Sequence, residues 1–105
     1  MSDIANTPKA PYYAVIFTSL RTQGEQGYEQ MTQKMLSLAA EQAGFLGVES
    51  AREEVGITVS YWSDLAAIKQ WKANTQHLEA QQKGRGIWYS EFKVRIAKVE
   101  RDYQF

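Results

Sequence analysis

Residues 56–82 read GITVSYWSDLAAIKQWKANTQHLEAQQ, and this stretch changes from a strand pattern to a helix pattern within a few positions. Its first part, residues 57–62, is rich in β-branched and aromatic residues, which suit a pleated, half-buried surface. Because strand side chains alternate between faces, Tyr61 and Trp62 are expected on opposite faces of a sheet. We therefore predict a strand that ends at Trp62 with an aromatic ring on each face.

A helix is predicted directly after this strand. The Ser63 hydroxyl is suited to cap its free amides, and Asp64 places a negative charge in the first turn, where the helix dipole favours it. Apolar positions then recur at three- and four-residue spacings: Leu65, Ile68, Trp71 and Thr75. This spacing predicts a helix that lies on a sheet.

The second half of the stretch predicts a break in that helix. Asn74 and Thr75 have side chains that compete with helical hydrogen bonds, and either is suited to cap a second short helix that carries His77. Gly84 and Gly86 are expected to end this second helix, since glycine tolerates the left-handed conformation found just past a helix end.

The other elements follow from similar patterns. Residues 12–20, YYAVIFTSL, predict a strand with two apolar faces; it is either a central strand with incidental hydrophobics or, as we favour, one whose second face packs on another sheet. After a polar turn over residues 21–27, a helix with a methionine-rich stripe is predicted to about Gln42, and strands are predicted over residues 48–53 and 87–99. In the last strand Trp88 is expected on one face and Tyr89 on the other, with a bulge near Ala97.

Composition limits the class of protein. The 105 residues fit one domain, which we place at residues 12–105, after a mobile lead-in of residues 1–11. The 12 basic and 12 acidic residues balance, so no nucleic-acid or anionic-membrane partner is expected. The absence of cysteine excludes disulfides and thiolate metal sites and suits a reducing compartment. Without an apolar run long enough for a bilayer, the protein is predicted to be soluble and cytoplasmic.

The order of the elements is strand, helix, strand, strand, helix, strand. It predicts an α+β fold of the ferredoxin-like βαββαβ type, with a four-stranded antiparallel sheet. Right-handed crossovers place both helices on one face, so the other face remains apolar and uncovered. Such a face indicates an interface, and we predict a homodimer in which two sheets form a barrel. The aromatic tail, Tyr103 and Phe105, is expected to contact the partner chain.

Several segments together resemble the antibiotic biosynthesis monooxygenase (ABM) domain family. They are residues 12–17 (YYAVIF), 44–50 (GFLGVES), 60–62 (SYW), 71–72 (WK), His77 and 88–89 (WY). The resemblance covers nearly the whole chain after residue 11 and implies a dimeric α+β barrel. It also implies that the protein oxidises a small polyaromatic substrate with molecular oxygen, without a metal or added cofactor. A related branch of the family binds and degrades haem.

The resemblance also suggests roles for single residues. Trp71 matches the helix tryptophan that lines the pocket, and His77 matches a histidine that is frequent after this helix. The haem degraders carry an asparagine on the first strand, whereas residues 15–18 here read VIFT. They also place their haem-ligating histidine further from the tryptophan than His77 lies from Trp71, so the haem reading is the weaker one.

Two classes of function follow from these residues. In a cofactor-independent monooxygenase, His77 would accept a proton and Arg85 would stabilise negative charge. The rings expected to bind a planar aromatic substrate are Trp71, Tyr61, Trp62 and Trp88. The alternative is a non-catalytic dimer that binds a small molecule or haem; in this case Trp71 and Trp62 line a pocket or are plain core residues.

Overall fold

The computed structural model describes residues 3–25, 27–82 and 88–105, with only the backbone described for residues 77–82. These residues form four strands: β1 (Tyr12–Arg21), β2 (Phe45–Arg52), β3 (Val55–Trp62) and β4 (Tyr89–Val99). Helix α1 (Tyr28–Glu41) connects β1 to β2, and α2 (Leu65–Gln82) follows β3. This order confirms the ferredoxin-like prediction, although β2 begins three residues earlier than expected. Neither helix of the described residues is long and apolar enough to cross a bilayer.

The four strands form one antiparallel sheet in the order β2-β3-β1-β4. The register gives the sheet two distinct faces. The face that carries both helices, here called the helix-side face, includes Tyr13, Val15, Phe17 and Trp62. The opposite face, here called the open face, includes Tyr12, Ala14, Ile16 and Tyr61. The prediction that one face of β1 is left without helices is therefore confirmed, and the register identifies that face.

The bulge in β4 lies at the opposite end of the strand from the predicted one. Pairing with β1 is regular from Val99 to Glu91 and shifts only where Tyr89 pairs with Arg21, so Ser90 is the extra residue. The bulge predicted near Ala97 is wrong because Val99 lies on the open face beside Tyr12, where an apolar side chain fits without a register shift. The bulge at Ser90 turns Tyr89 onto the helix-side face, contrary to the predicted alternation.

Helix α2 is continuous from Leu65 to Gln82, so the interruption predicted at Asn74 and Thr75 is wrong. The Thr75 hydroxyl donates to the Lys72 carbonyl oxygen at 2.8 Å, a bond within the helix. The Asn74 amide donates to the side chain of Gln42 at 3.0 Å. Both polar side chains are thus satisfied without breaking the backbone ladder. The helix end predicted at Gly84 and Gly86 lies outside the described residues.

The first turn of α2 is capped by Asp64 and not by Ser63. The Asp64 Oδ1 atom accepts a hydrogen bond from the Ala67 amide at 2.8 Å, which is the usual N-cap bond to the third helical residue. The Ser63 hydroxyl instead donates to Asp64 Oδ2 at 3.3 Å. The cap is therefore one residue later than predicted.

Both chain ends lie against the open face near the start of β1. The Ala5 amide donates to Glu49 Oε2 at 2.9 Å, and the Thr7 hydroxyl donates to the Tyr12 hydroxyl at 3.0 Å. The Tyr12 hydroxyl in turn donates to Asp102. These bonds bring the segments before β1 and after β4 to the same corner of the sheet.

Candidate functional site

A tryptophan pair lies at one end of the helix-side face. The Trp62 ring has 0% exposure and stacks on the Trp71 ring of α2, with 5.8 Å between centroids and 28° between planes. Phe45 meets Trp62 edge-on at 5.4 Å, and the Trp62 Nε1 atom donates to Ser60 Oγ at 2.9 Å. Trp71 itself is half-buried. Of the two rings, Trp71 is therefore the one with surface left for a ligand, and Trp62 supports it from the sheet.

An apolar strip on the same face runs along β4. Val94 pairs with Phe17 and Ile96 pairs with Val15, which places these side chains on the helix-side face. Val94 is 46% exposed and Ile96 is 52% exposed. The strip therefore offers apolar surface beside the helices that a planar ligand can cover.

A tyrosine pair lies at the other end of the helix-side face. Tyr28, the first residue of α1, meets the ring of Tyr89 edge-on at 5.8 Å and the ring of Trp88 at 6.4 Å. The Tyr89 hydroxyl makes a long contact of 3.5 Å with the Tyr28 hydroxyl. Trp88 is buried against Met31. The bulge at Ser90 is what makes this pair possible, because it turns Tyr89 toward α1.

An arginine side chain packs on one ring of the tyrosine pair. The Arg21 guanidinium lies 3.5 Å from the centroid of the Tyr28 ring, within cation–π distance. It is fixed there by two hydrogen bonds, from Nε to the Trp88 carbonyl oxygen and from Nη2 to the Gly24 carbonyl oxygen, both at 3.0 Å. The end of β1, the start of α1 and the start of β4 therefore meet at one charged side chain.

The two phenols differ in acidity. Burial and the hydrogen bond to Tyr28 raise the pKa of Tyr89. Burial also acts to raise the pKa of Tyr28, but hydrogen bonds with Tyr89 and Thr32, together with two nearby arginine charges, outweigh it, so the pKa of Tyr28 is lowered. Tyr28 is thus the phenol of the pair that ionises first.

A cleft of about 260 Å³ lies between α1 and the strands β2 and β3. Its described lining residues are Tyr28, Thr32, Ser50, Ala51, Arg52, Gly56, Ile57 and Thr58. The Arg52 guanidinium lies over Gly56, where a Cβ atom would overlap it, and its Nη2 donates to the hydroxyl of Ser19. The cleft therefore combines a fixed positive charge with hydroxyl groups.

The predicted site residues are only partly brought together. Trp62 and Trp71 form one stacked pair, whereas Trp88 belongs to the tyrosine end of the sheet, roughly 26 Å away along eight residues of β1 at about 3.3 Å each. Tyr61 lies on the open face, where its hydroxyl donates to Glu49 Oε1 at 2.6 Å. The side chain of His77 and all of Arg85 lie outside the described residues, so the roles given to them stay predictions.

The residues that the sequence patterns did not single out are Arg21, Arg52 and the two phenols. A signal was available in the topology. β1 and β2 both run antiparallel to β3, so Arg21 and Arg52, their last residues, end at the same edge of the sheet. Tyr28 begins the helix that leaves this edge. Two arginines at the carboxyl ends of the two strands that flank β3 and run in the same direction are a detectable pattern once the element order is known.

Comparison with known proteins identifies the class of protein. The model of the antibiotic biosynthesis monooxygenase family matches residues 11–83, and the chain belongs to this family. It is 50% identical over 107 residues to the uncharacterized protein YqjZ of Bacillus subtilis (strain 168), and the match covers all of this chain and 94% of YqjZ.

Solved structures share the fold at low sequence identity. A single-residue mutant of SnoaB from Streptomyces nogalater, a cofactor-independent oxygenase, superposes with a TM-score of 0.72 at 14% identity, over 89% of this chain and 97% of SnoaB. PA3566 of Pseudomonas aeruginosa superposes with a TM-score of 0.67 at 18% identity, over 91% of this chain and 99% of PA3566. At these identities the likeness supports the fold alone.

Proposed function

We propose that the protein is a cofactor-independent monooxygenase that acts on a small planar aromatic substrate in the cytoplasm. The observation that carries the proposal is the half-buried Trp71 ring, stacked on the fully buried Trp62 beside an apolar strip, in a chain of the ABM family. A flat ring held in place by a second ring is a surface for stacking a flat ligand. SnoaB, which shares the fold, is a cofactor-independent oxygenase, and this supports the proposal.

The chemistry needs a substrate that supplies its own electrons. Removal of a proton from a hydroxylated polycyclic aromatic gives an electron-rich anion that reduces molecular oxygen directly. A CH₂ group then becomes a carbonyl group, with one atom of O₂ in the product and the other released as water. In this proposal Trp71 orients the ring, His77 accepts the proton and Arg85 stabilises the resulting oxyanion.

The proposal includes a homodimer formed through the open face. Ile16 and Val59 lie in the middle of this face, and Ile57 and Val55, which share it, are largely exposed. The tail adds Tyr103, which is 96% exposed. A two-fold axis would pack two such faces together as a barrel. Sedimentation at micromolar concentration is expected to give the dimer mass, and a clean monomer mass would refute this part.

The decisive test is oxygen uptake with a panel of hydroxylated polycyclic aromatics, in the presence of a metal chelator. We expect uptake that depends on substrate, with isotopically labelled oxygen gas appearing in the product. Trp71→Ala should lower this activity strongly, whereas Leu36→Ala, at an exposed position of α1, should leave it unchanged.

Two results would contradict the oxygenase. One is an absence of uptake across the panel. The other is activity that Trp71→Ala leaves intact. If, instead, haemin gives a sharp absorbance band that His77→Ala removes, the protein belongs to the alternative class of haem-binding dimers.

A further inference from the structure

We propose that the cleft between α1 and strands β2 and β3 binds a small aromatic carboxylate, and that Arg52 holds the carboxylate group. This site lies at the opposite end of the helix-side face from Trp71, so it does not depend on the proposed oxygenase activity. Its support comes from three features: the way Arg52 is fixed, the charge around it, and the size and lining of the cleft.

Arg52 is held in a defined position. It pairs with Gly56 on the neighbouring strand, and the missing side chain of that glycine leaves room for the guanidinium to lie on the sheet. One N–H group donates to the hydroxyl of Ser19, which is only 2% exposed. A guanidinium has five N–H donors, so donors remain for a ligand. The neutral Ser19 orients the charge without neutralising it.

The surroundings of Arg52 favour a negative ligand. Arg21 supplies a second positive charge, and both arginines act on the Tyr28 phenol. The described residues that line the cleft include no carboxylate. Glu53 and Glu54, which follow Arg52 in the turn between β2 and β3, are exposed and do not line the cleft. The Glu25 carboxylate accepts hydrogen bonds from the amides of Gly27 and Glu29 at the start of α1.

The same arrangement favours a carboxylate over a phosphate. The free amides of a helix start are a common phosphate site, but at α1 two of them are already bonded to the Glu25 carboxylate. What the cleft offers instead is the planar fork of one arginine, which pairs with the two oxygens of a carboxylate but leaves the additional oxygens of a phosphate without these amide donors.

The size and lining of the cleft fit a ligand with one ring. A cavity of about 150 Å³ holds benzene, and this cleft measures about 260 Å³. Side chains of Thr32, Ser50 and Thr58 provide hydroxyl groups, and the ring of Tyr28 provides apolar surface. Benzoate is therefore the simplest probe, and hydroxylated benzoates have hydroxyl partners available.

The test is a calorimetric titration of the full-length protein with three probes: benzoate, its neutral analogue benzamide, and inorganic phosphate. We expect benzoate to bind at least about tenfold more tightly than benzamide, since a charge-assisted hydrogen bond commonly exceeds about 1.4 kcal/mol, the value of a tenfold change. Arg52→Gln should weaken benzoate binding by a similar factor. Arg52→Lys, which keeps the charge but not the fork, should weaken it less.

Two further variants separate position from charge. Ser19→Ala should weaken benzoate binding severalfold, because the guanidinium loses its anchor but keeps its charge. Lys69→Gln, which removes one exposed positive charge from α2, should leave binding unchanged. The proposal is overturned if benzoate does not bind, if benzamide or phosphate binds as tightly, or if Arg52→Gln binds benzoate like the wild type.

Discussion

Truncation of Trp62 should mainly lower stability, whereas truncation of Trp71 should mainly weaken ligand binding. Trp62 has no exposed surface, and a large aromatic side chain buries about 200 Å². At about 25 cal/mol per Å² this burial is worth about 5 kcal/mol, at the upper end of the roughly 3–5 kcal/mol measured for such truncations. We therefore expect Trp62→Ala to lower the free energy of unfolding by about 3–5 kcal/mol.

Trp71 should behave differently because part of its ring already faces solvent. Well over half of its surface is buried, so the same arithmetic gives roughly 2–4 kcal/mol for Trp71→Ala, less than for Trp62→Ala. The stacking itself should appear in a double-mutant cycle, as a coupling free energy of about 0.5–1.5 kcal/mol between the two truncations. In contrast, binding of planar aromatic ligands should be weakened mainly by Trp71→Ala.

Denaturant melts and ligand titrations on the same variants measure both quantities. Since small domains have a total stability of roughly 5–15 kcal/mol, Trp62→Phe replaces Trp62→Ala if the latter does not fold. The reasoning fails if Trp71→Ala costs as much stability as Trp62→Ala while the folded fraction binds aromatic ligands normally. In that case Trp71 is a core residue and the ligand site is elsewhere.

Three more predictions test the helix cap, a tyrosine of the open face and the tail. Asp64→Ala should lower the free energy of unfolding by about 1 kcal/mol in denaturant melts, whereas Ser63→Ala should have a much smaller effect, because only the aspartate accepts the amide bond. Burial and the Glu49 carboxylate raise the pKa of Tyr61 to about 12, above the value of about 10 in an unfolded chain. The stability that comes from this raised pKa is complete below a pH of about 10 and is lost as the pH rises toward about 12. The free energy of unfolding should therefore fall over that range, and it should fall less in Tyr61→Phe. Deletion of residues 103–105 should raise the dissociation constant of the dimer in sedimentation experiments, and an unchanged constant would show that the tail is not part of the interface.

The order of the elements could be read from the sequence because each element has a strong local pattern. For the strand that ends at Trp62, the residue types and their alternation both predict a strand, and the structure contains it as β3. Helix α2 was harder to predict. Asn74 and Thr75 have a low preference for helix interiors, but their side chains bond to Gln42 and to the Lys72 carbonyl, and these partners are not visible in a local window.

The site was less predictable because its contacts join distant parts of the chain. A bulge moves every following side chain to the other face, so the misplaced bulge put Tyr89 on the wrong face and hid its contact with Tyr28. The bond between Arg52 and Ser19 joins residues 33 positions apart. Trp71 was identifiable as a ring on the helix stripe, whereas its stacking on Trp62 depends on where α2 crosses the sheet.

The corner where both chain ends meet determines how the domain should respond to mechanical force. β1 begins beside the end of β4, with Tyr12 paired with Val99, and Asp102 is bonded to the Tyr12 hydroxyl. Force applied to the two ends therefore acts first on that hydroxyl bond and then on one residue pair between β1 and β4 at a time. The two strands separate pair by pair and are not sheared along their whole length. An unfolding motor that grips the tail would meet little resistance, and β4 would be the first strand to leave the sheet.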